Sequence, residues 1–332
     1  MSQVRSAILL VGGFGTRLQP LTFKTPKPML SVAGIPFTQH QIIKARDAGI
    51  KEIVLATSYL AEIFEPYFGD GSRFGINVRY AVEEVALGTG GAIGNAAKML
   101  QEDGPVVIFN GDVLSSHDLK GQINFHVENS ADISLYLTEV ADARAYGAVE
   151  MSGVNITSFN EKMENPPTNI INAGCYIFNR EMVSTIPEGE VISVERQTFP
   201  AALASGKKLC GFVDRSYWLD IGTPAALLKA TSDLISGVAS SVAFDELLAS
   251  GAYKRSGTAL ISSTAKIAGS ASVENGSFVG QGARVGEGVK ISHSIIGDGA
   301  LIGDRADIDS SFVAQSAVFP AGSIANGQFF GF

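Results

Sequence analysis

The chain has few of the residues that build covalent or metal frameworks. Its two cysteines, Cys175 and Cys210, are too few for a disulfide scaffold, and its four histidines, His40, His117, His126 and His293, lack the spacing of metal ligands. No apolar run approaches the roughly 20 residues needed to cross a bilayer. The opening MSQVRSAILLVGG is interrupted too soon for a signal peptide, so the expected compartment is the cytoplasm and no membrane partner is expected. Positive charge is also short: 25 Lys and Arg face 33 Asp and Glu, a net charge of −8. Such a surface excludes general binding to nucleic acid, and any anion site has to be assembled locally from a few basic side chains. The expected partner is therefore small. At 332 residues the chain has length for two domains.

The basic residues that matter stand in one stretch, Leu9 to Pro28, LLVGGFGTRLQPLTFKTPKP. Ala7 to Val11 is short, apolar and closed by glycine, the pattern of a buried parallel strand. Gly12, Gly13 and Gly15 remove Cβ atoms where backbone N–H groups would approach phosphate oxygens, and Arg17 and Lys27 add positive charge. The stretch reads as a triphosphate-binding loop. It is not a P-loop, because Thr16-Arg17 rather than Lys-Ser/Thr follows the last glycine. Nor is it a dinucleotide fingerprint, because Leu18 stands where the third glycine belongs and no acidic residue follows about 20 positions on.

The string from Gly12 to Pro28 resembles, without a gap, the signature of the sugar-phosphate nucleotidylyltransferases, G-G-x-G-T-R-L-x-P-L-T followed by P-K-P. The resemblance extends over most of residues 1–236. The opening Val11-Gly12-Gly13 is more similar to GDP-mannose pyrophosphorylases than to thymidylyl or uridylyl relatives. It implies that Val11, Gly12, Gly13, Gly15, Thr16 and Arg17 hold the nucleotide and that Lys27 orients its α-phosphate.

Between Val4 and Thr138, strand-like and helix-like stretches alternate, as in a parallel sheet with crossover helices. The expected strands are residues 7–11, 52–57, 77–82, 106–110 and 132–138; the expected helices are 38–48, 91–100 and 119–127. Ligands of such sheets gather at the C-terminal strand ends. That rule places the loop after Val11, the segment after Val82 and the turn after Asn110 on one edge. After Val82 comes a second glycine-rich segment, Glu83 to Gly91, leading into a helix whose first N–H groups suit an anion or a base edge. The family resemblance implies that Glu83, Gly88 and Thr89 contact the base, and a carboxylate at Glu83 suits the N–H edge of guanine. Asn110-Gly111-Asp112 by itself is a turn. The resemblance makes Asp112 a Mg²⁺ ligand, with Asp220 in Trp218-Leu219-Asp220-Ile221-Gly222-Thr223-Pro224 as the second carboxylate. It also gives Gly147, Glu161, Lys162 and Asn172 to the sugar phosphate. Without it, Glu161-Lys162 would read as a solvated pair and Trp218 as a packing residue. Thr223-Pro224 has the look of a helix N-cap with proline at the first position. Strands that are shorter and more alternating, suited to mixed or antiparallel pairing, are expected at 147–151, 156–159 and 172–178, and helices at 181–186, 195–204 and 225–235.

From Ile261 the period changes. Apolar residues recur every sixth position, at Ile261, Ile267, Val273, Val279, Val285 and Ile291, and after one five-residue step at Ile296, Ile302 and Ile308. This hexapeptide repeat reads as a left-handed parallel β-helix of roughly four coils. The expected organisation is an α/β Rossmann-like mixed-sheet nucleotidyltransferase domain over 1–236, a linker over 237–256 with a helix near Phe244 to Leu248, and the β-helix over 257–332.

The family resemblance implies transfer of GMP from GTP to mannose 1-phosphate with Mg²⁺ as cofactor, by a chain that forms a homo-oligomer, with the β-helix as its contact. Rival readings are a glucose-1-phosphate thymidylyl- or uridylyltransferase, a heptose-1-phosphate guanylyltransferase, a regulatory subunit without catalysis, and a hexapeptide acyltransferase centred on His293.

Overall fold

A computed structural model describes residues 3–58 and 60–332 of the chain. It divides into two compact units, Met1–Phe14 with Gln41–Trp218, and Gly15–His40 with Leu219–Phe332.

The first unit is built on a nine-stranded mixed sheet. Its strands are β1 (Ser6–Leu10), β2 (Glu52–Thr57), β3 (Asn77–Val82), β4 (Val106–Asn110), β5 (Ile133–Glu139), β6 (Gly147–Ser152), β7 (Asn155–Glu161), β8 (Ile170–Phe178) and β9 (Leu209–Val213). Their order is β3-β2-β1-β4-β8-β5-β9-β7-β6. Strand β1 is parallel to both neighbours, with Leu10 opposite Ala56 on one side and Asn110 on the other. Ala7, Ile8 and Leu9 are wholly buried, as expected of a strand covered on both faces. The chain adds β2 and β3 to one side of β1 and β4 to the other, so the loop leaving β1 lies at a topological switch point.

Val11 falls just outside β1, but its N–H still donates to Ala56 O at 3.0 Å. The fifth expected strand, β5, keeps its direction but does not adjoin β4. Strand β8 runs antiparallel between them, and its sequence IINAGCYIF is apolar enough to lie buried there. The helix expected from Gly91 begins at Gly88 and runs to Ala97. The helix expected over 195–204 divides into a π-helical turn, Val194–Thr198, and an α-helix, Phe199–Ala204.

In the second unit, three columns of short parallel strands stack as a β-helix, each coil passing once through every column. Leu260 lies beside Phe278, which lies beside Ile295, then Phe312, then Phe329. The inward stack continues beyond Ile308 through Val313, Phe319, Ala325 and Phe330. The five-residue step thus recurs at 308–313 and 325–330, and coils after the first repeat at 17 rather than 18 residues. Buried serines close the shortened corner: Ser277 Oγ accepts from Ser294 N at 3.2 Å, Ser294 Oγ from Ser311 N at 3.1 Å, and Ser311 Oγ from Gln328 N at 3.0 Å. Buried main-chain donors demand partners, and one hydroxyl per coil supplies them.

The segment 15–40 belongs to this unit. Its hairpin Ser31–Val32 and Ile35–Pro36 turns at Gly34, where φ is +94° and an added Cβ would crowd Phe278, Leu247 and Tyr253. His40 is held between Ser241 Oγ at 2.7 Å and Val32 O at 3.1 Å. Residues 237–256 carry a helix, Val242–Ala249, and a strand, Tyr253–Ser256, paired antiparallel with Ala259–Ser262. No helix among the described residues is long and apolar enough to cross a membrane.

Candidate active site

Among the first unit's residues, the C-terminal end of β1 gives Val11, Gly12 and Gly13. Gly13 takes φ +109°, which favours glycine, and a Cβ at Gly12 would meet the Ser58 hydroxyl at 2.9 Å and require it to turn away. Gly111 follows β4 and donates to Leu10 O at 2.9 Å; any Cβ there would fall onto that carbonyl. This contact fixes where the half-buried Asp112 leaves the sheet.

The glycine-rich helix start after β3 has a structural role as well. Gly90 N and Gly91 N donate to Ile192 O at 2.7 and 3.4 Å, and a Cβ at Gly88, Gly90 or Gly91 would collide with residues 190–192 or Leu87. Those two N–H groups are therefore already engaged by protein. Thr89 Oγ1 donates to Glu195 Oε2 at 2.8 Å and accepts from Val194 N at 2.9 Å. Glu83 Oε2 accepts from Leu87 N at 3.3 Å, while its Oε1 is buried with no partner among the described residues. Burial raises the Glu83 carboxyl above its usual range, against the opposing Leu87 hydrogen bond.

The remaining members lie where β6, β7 and β8 meet. Gly147 pairs directly with Glu161, and Ile171, beside Asn172, pairs with Ala148. A Cβ on Gly147 would strike Phe159 and approach Glu161 Oε2 at 2.9 Å. Lys162 takes φ +52°, its N–H donates to Tyr146 O at 3.1 Å, and its Nζ is 3.7 Å from Glu161 Oε1. Burial, reinforced by the charge of Glu195, raises the Glu161 carboxyl. Glu195 was not singled out by sequence; its one local signal is Ser193, whose hydroxyl caps the π-helical turn and also donates to Glu195 Oε2 at 3.0 Å. Trp218 packs edge-on against Tyr146 and donates from Nε1 to Ala173 O at 3.0 Å, so the packing residue also pins β8.

The second unit carries Gly15, Thr16, Arg17, Lys27 and Asp220. Gly15 has φ +58° and precedes a 3₁₀ turn, Thr16–Leu18; Lys27 opens another, Lys27–Met29. The two turns are close, since a Cβ on Gly15 would lie 3.0 Å from Lys27 Cβ and 3.1 Å from Thr22 Cγ2. The Arg17 guanidinium lies over Gly222, where an added Cβ would be 3.0 Å from Nη2. Thr223 caps the helix Pro224–Ser236 by accepting from Ala226 N at 3.2 Å, which fixes the chain just after Asp220.

Within the first unit, a glycine loop at the switch point of an α/β sheet, with a carboxylate just after β4, is the arrangement of a nucleotide-binding protein. The family model described as nucleotidyl transferase matches residues 6–237, and the chain belongs to that family. This is the family anticipated from Gly12 to Pro28.

The mannose-1-phosphate guanylyltransferase of Mycobacterium tuberculosis is 47% identical over 262 residues, covering 77% of this chain and 73% of that protein. The mannose-1-phosphate guanyltransferase of Yarrowia lipolytica is 34% identical over 235 residues, and the match spans 70% of this chain and 64% of the yeast protein. Among solved structures, HddC from Yersinia pseudotuberculosis is 30% identical with a TM-score of 0.59, covering 68% of this chain and 98% of HddC. HddC has also been solved complexed with GMP-PN.

Proposed function

We propose that the chain transfers GMP from GTP to mannose 1-phosphate, giving GDP-mannose and pyrophosphate. The observation that carries this reading is 47% identity to a mannose-1-phosphate guanylyltransferase across most of the chain. The unpartnered buried Oε1 of Glu83 supports guanine, whose N1–H and amino group offer donors to such an oxygen. A phosphate oxygen of the sugar phosphate attacks the α-phosphorus of GTP, and the bond to the β-phosphate oxygen breaks in line, so no covalent enzyme intermediate forms. Catalysis then rests on positioning and charge neutralisation. Arg17 stabilises the charge that develops on the leaving pyrophosphate, Lys27 orients the α-phosphate, and Lys162 holds the sugar phosphate. Val11, Gly12, Gly13, Gly15 and Thr16 present the loop backbone to the nucleotide; Gly88 and Thr89 frame the base, and Gly147, Glu161 and Asn172 take the sugar.

Asp112 and Asp220 are hard oxygen donors of the type Mg²⁺ prefers. No group of three or more His, Cys, Asp or Glu side chains suited to a metal occurs among the described residues. That donor set fits an ion which uses one or two carboxylates and completes its shell with water and substrate phosphates. When bound, Mg²⁺ would neutralise phosphate charge.

We assign residues 1–236 to catalysis, 237–256 to the connection and 257–332 to a β-helix through which copies of the chain associate, and we place the protein in the cytoplasm. The test is pyrophosphate release by the purified chain with Mg²⁺, offering GTP, dTTP, UTP and ATP against mannose 1-phosphate and glucose 1-phosphate. Release with GTP and mannose 1-phosphate above every other pair supports the reading. Preference for another pair overturns the substrates, and silence with every pair overturns catalysis.

A further inference from the structure

Strand β8 contains an irregularity. Asn172 pairs with Leu137 of β5 and Tyr176 with Leu135, so four residues of β8 span only two of its partner. In a regular strand, residues four apart stand about 13 Å from one another at roughly 3.3 Å per residue. The bulge Ala173-Gly174-Cys175 shortens that separation, with Gly174 at φ +78° and Trp218 Nε1 bonded to Ala173 O. As a result the Asn172 Nδ2 donates to the Tyr176 hydroxyl at 2.9 Å.

A second asparagine meets the same oxygen. Asn110, the last residue of β4 and two before Asp112, donates from Nδ2 to Tyr176 OH at 3.3 Å. Gln41 Nε2 in turn donates to Asn110 O at 2.7 Å. A Cβ at Gly174 would lie 3.2 Å from Asn110 Cβ and Nδ2, so this glycine is required by the approach of Asn110 as well as by its own φ. Tyr176 is wholly buried, with its ring edge-on to Phe199 at 5.1 Å. A phenol oxygen accepts at most two hydrogen bonds, and here both acceptor positions are taken by amides from different strands. Asn110 Oδ1 is buried with no partner among the described residues, and Asn172 Oδ1 accepts from Gly174 N at 3.2 Å.

We propose that Tyr176 is a positioning residue. Its buried phenol ties the turn that carries Asp112 to the sugar-binding strand, orienting Asn172 and leaving Asn110 Oδ1 as an acceptor for a sugar hydroxyl. The inference rests on the proposed transfer to a sugar phosphate. It assigns sugar affinity, rather than nucleotide affinity, to an oxygen that never touches substrate.

Tyr176→Phe deletes that oxygen and keeps the ring. In the pyrophosphate-release assay, the KM for mannose 1-phosphate should rise about tenfold, the equivalent of one lost hydrogen bond, while the KM for GTP stays within about twofold. Asn172→Ala should raise the same KM, and adding Tyr176→Phe to it should raise it by less than Tyr176→Phe does alone, because only the share acting through Asn110 remains. Equal changes in both KM values, no change in either, or full multiplication of the two effects on the sugar KM would overturn the proposal. If Tyr176→Phe does not fold, Asn110→Ala and Asn172→Ala with their double variant replace it. Effects that fall short of multiplying support the shared phenol, and effects that multiply exclude it. A parent chain silent on every substrate pair overturns the transfer reading and this inference with it. An active parent whose variants bind sugar phosphate normally overturns the inference alone.

Discussion

Gly222→Ala is expected to reduce turnover while leaving the fold intact. Gly222 is buried and is not among the residues with positive φ, so alanine suits its backbone. The new methyl would stand 3.0 Å from Arg17 Nη2 and 3.3 Å from Cζ and Nη1. Those separations are a few tenths of an ångström below ordinary contact, and what has to yield is the free end of a flexible, exposed side chain rather than backbone. The cost to stability is therefore small, within about 0.5 kcal/mol, and the lost flexibility of the unfolded chain offsets part of it. The cost to catalysis is larger. Removing a preorganised charge stabiliser lowers turnover by about two to three orders of magnitude, which sets the expected loss for Arg17→Ala. Displacement by part of an ångström should take a fraction of that, roughly ten- to a hundredfold, or about 1.4–2.7 kcal/mol of barrier.

The assay is steady-state pyrophosphate release at saturating substrates, paired with thermal unfolding of the same samples. In the Arg17→Ala background, Gly222→Ala should add almost nothing, because its effect acts through the arginine. A wild-type kcat for Gly222→Ala refutes the reasoning. So does an undiminished effect when Arg17 is already absent, which would locate the damage at Asp220 instead.

Three further outcomes follow from buried charge and from the metal. Glu52 is 2% exposed and accepts from Arg79 Nη1 at 2.5 Å, Ser6 Oγ at 2.9 Å, Gln101 N at 2.9 Å and Glu102 N at 2.7 Å. Glu52→Ala leaves these donors without an acceptor and should lower stability by about 3 kcal/mol in urea titrations; a loss below about 1 kcal/mol would show that water replaces the carboxylate. His40 is held neutral, its pKa pushed down to about 4 mainly by burial, against an opposing hydrogen bond to Val32 O. The unfolded chain takes up that proton below about pH 6.5 and the native chain does not, so stability is complete above 6.5 and declines as pH falls toward 4. Between pH 7 and pH 5, the His40 share of that loss is about 2 kcal/mol at 1.36 kcal/mol per pH unit, and His40→Gln should flatten the slope accordingly. Chelation with EDTA should abolish pyrophosphate release and added Mg²⁺ restore it; activity that survives chelation would remove Asp112 and Asp220 from their proposed role.

Much of this architecture was legible because two periodicities are strongly imposed. A strand buried on both faces has to be apolar throughout, and β1, β2 and β4 are. A β-helix has to present one inward residue per six, and Ile261 to Ile308 do. Beyond Ile308 and Val313 the inward residues become Phe319, Ala325 and Phe330, which the Ile/Val pattern does not announce, and at the last shortened corner Gln328 stands where the earlier coils have serine, its N–H still donating to Ser311 Oγ. Other features depend on contacts distant in sequence. The alternation at 172–178 suggests mixed or antiparallel pairing, and β8 is antiparallel to both neighbours, but nothing local in IINAGCYIF states that it will insert between β4 and β5 or that it will bulge.

The glycines after Val82 illustrate the same limit. They were read as an opening for a ligand, yet Gly88, Gly90 and Gly91 are also required by the close approach of residues 190–192, about a hundred positions later. A glycine in sequence marks a place where something comes near the backbone without saying what. Tyr176 is the converse case, because its surroundings read as core while its hydroxyl joins two candidate ligand residues. Candidate chemical side chains could therefore be named from motif, whereas the contacts around them, such as those of the Tyr176 hydroxyl with Asn110 and Asn172, emerged only once the strands were paired.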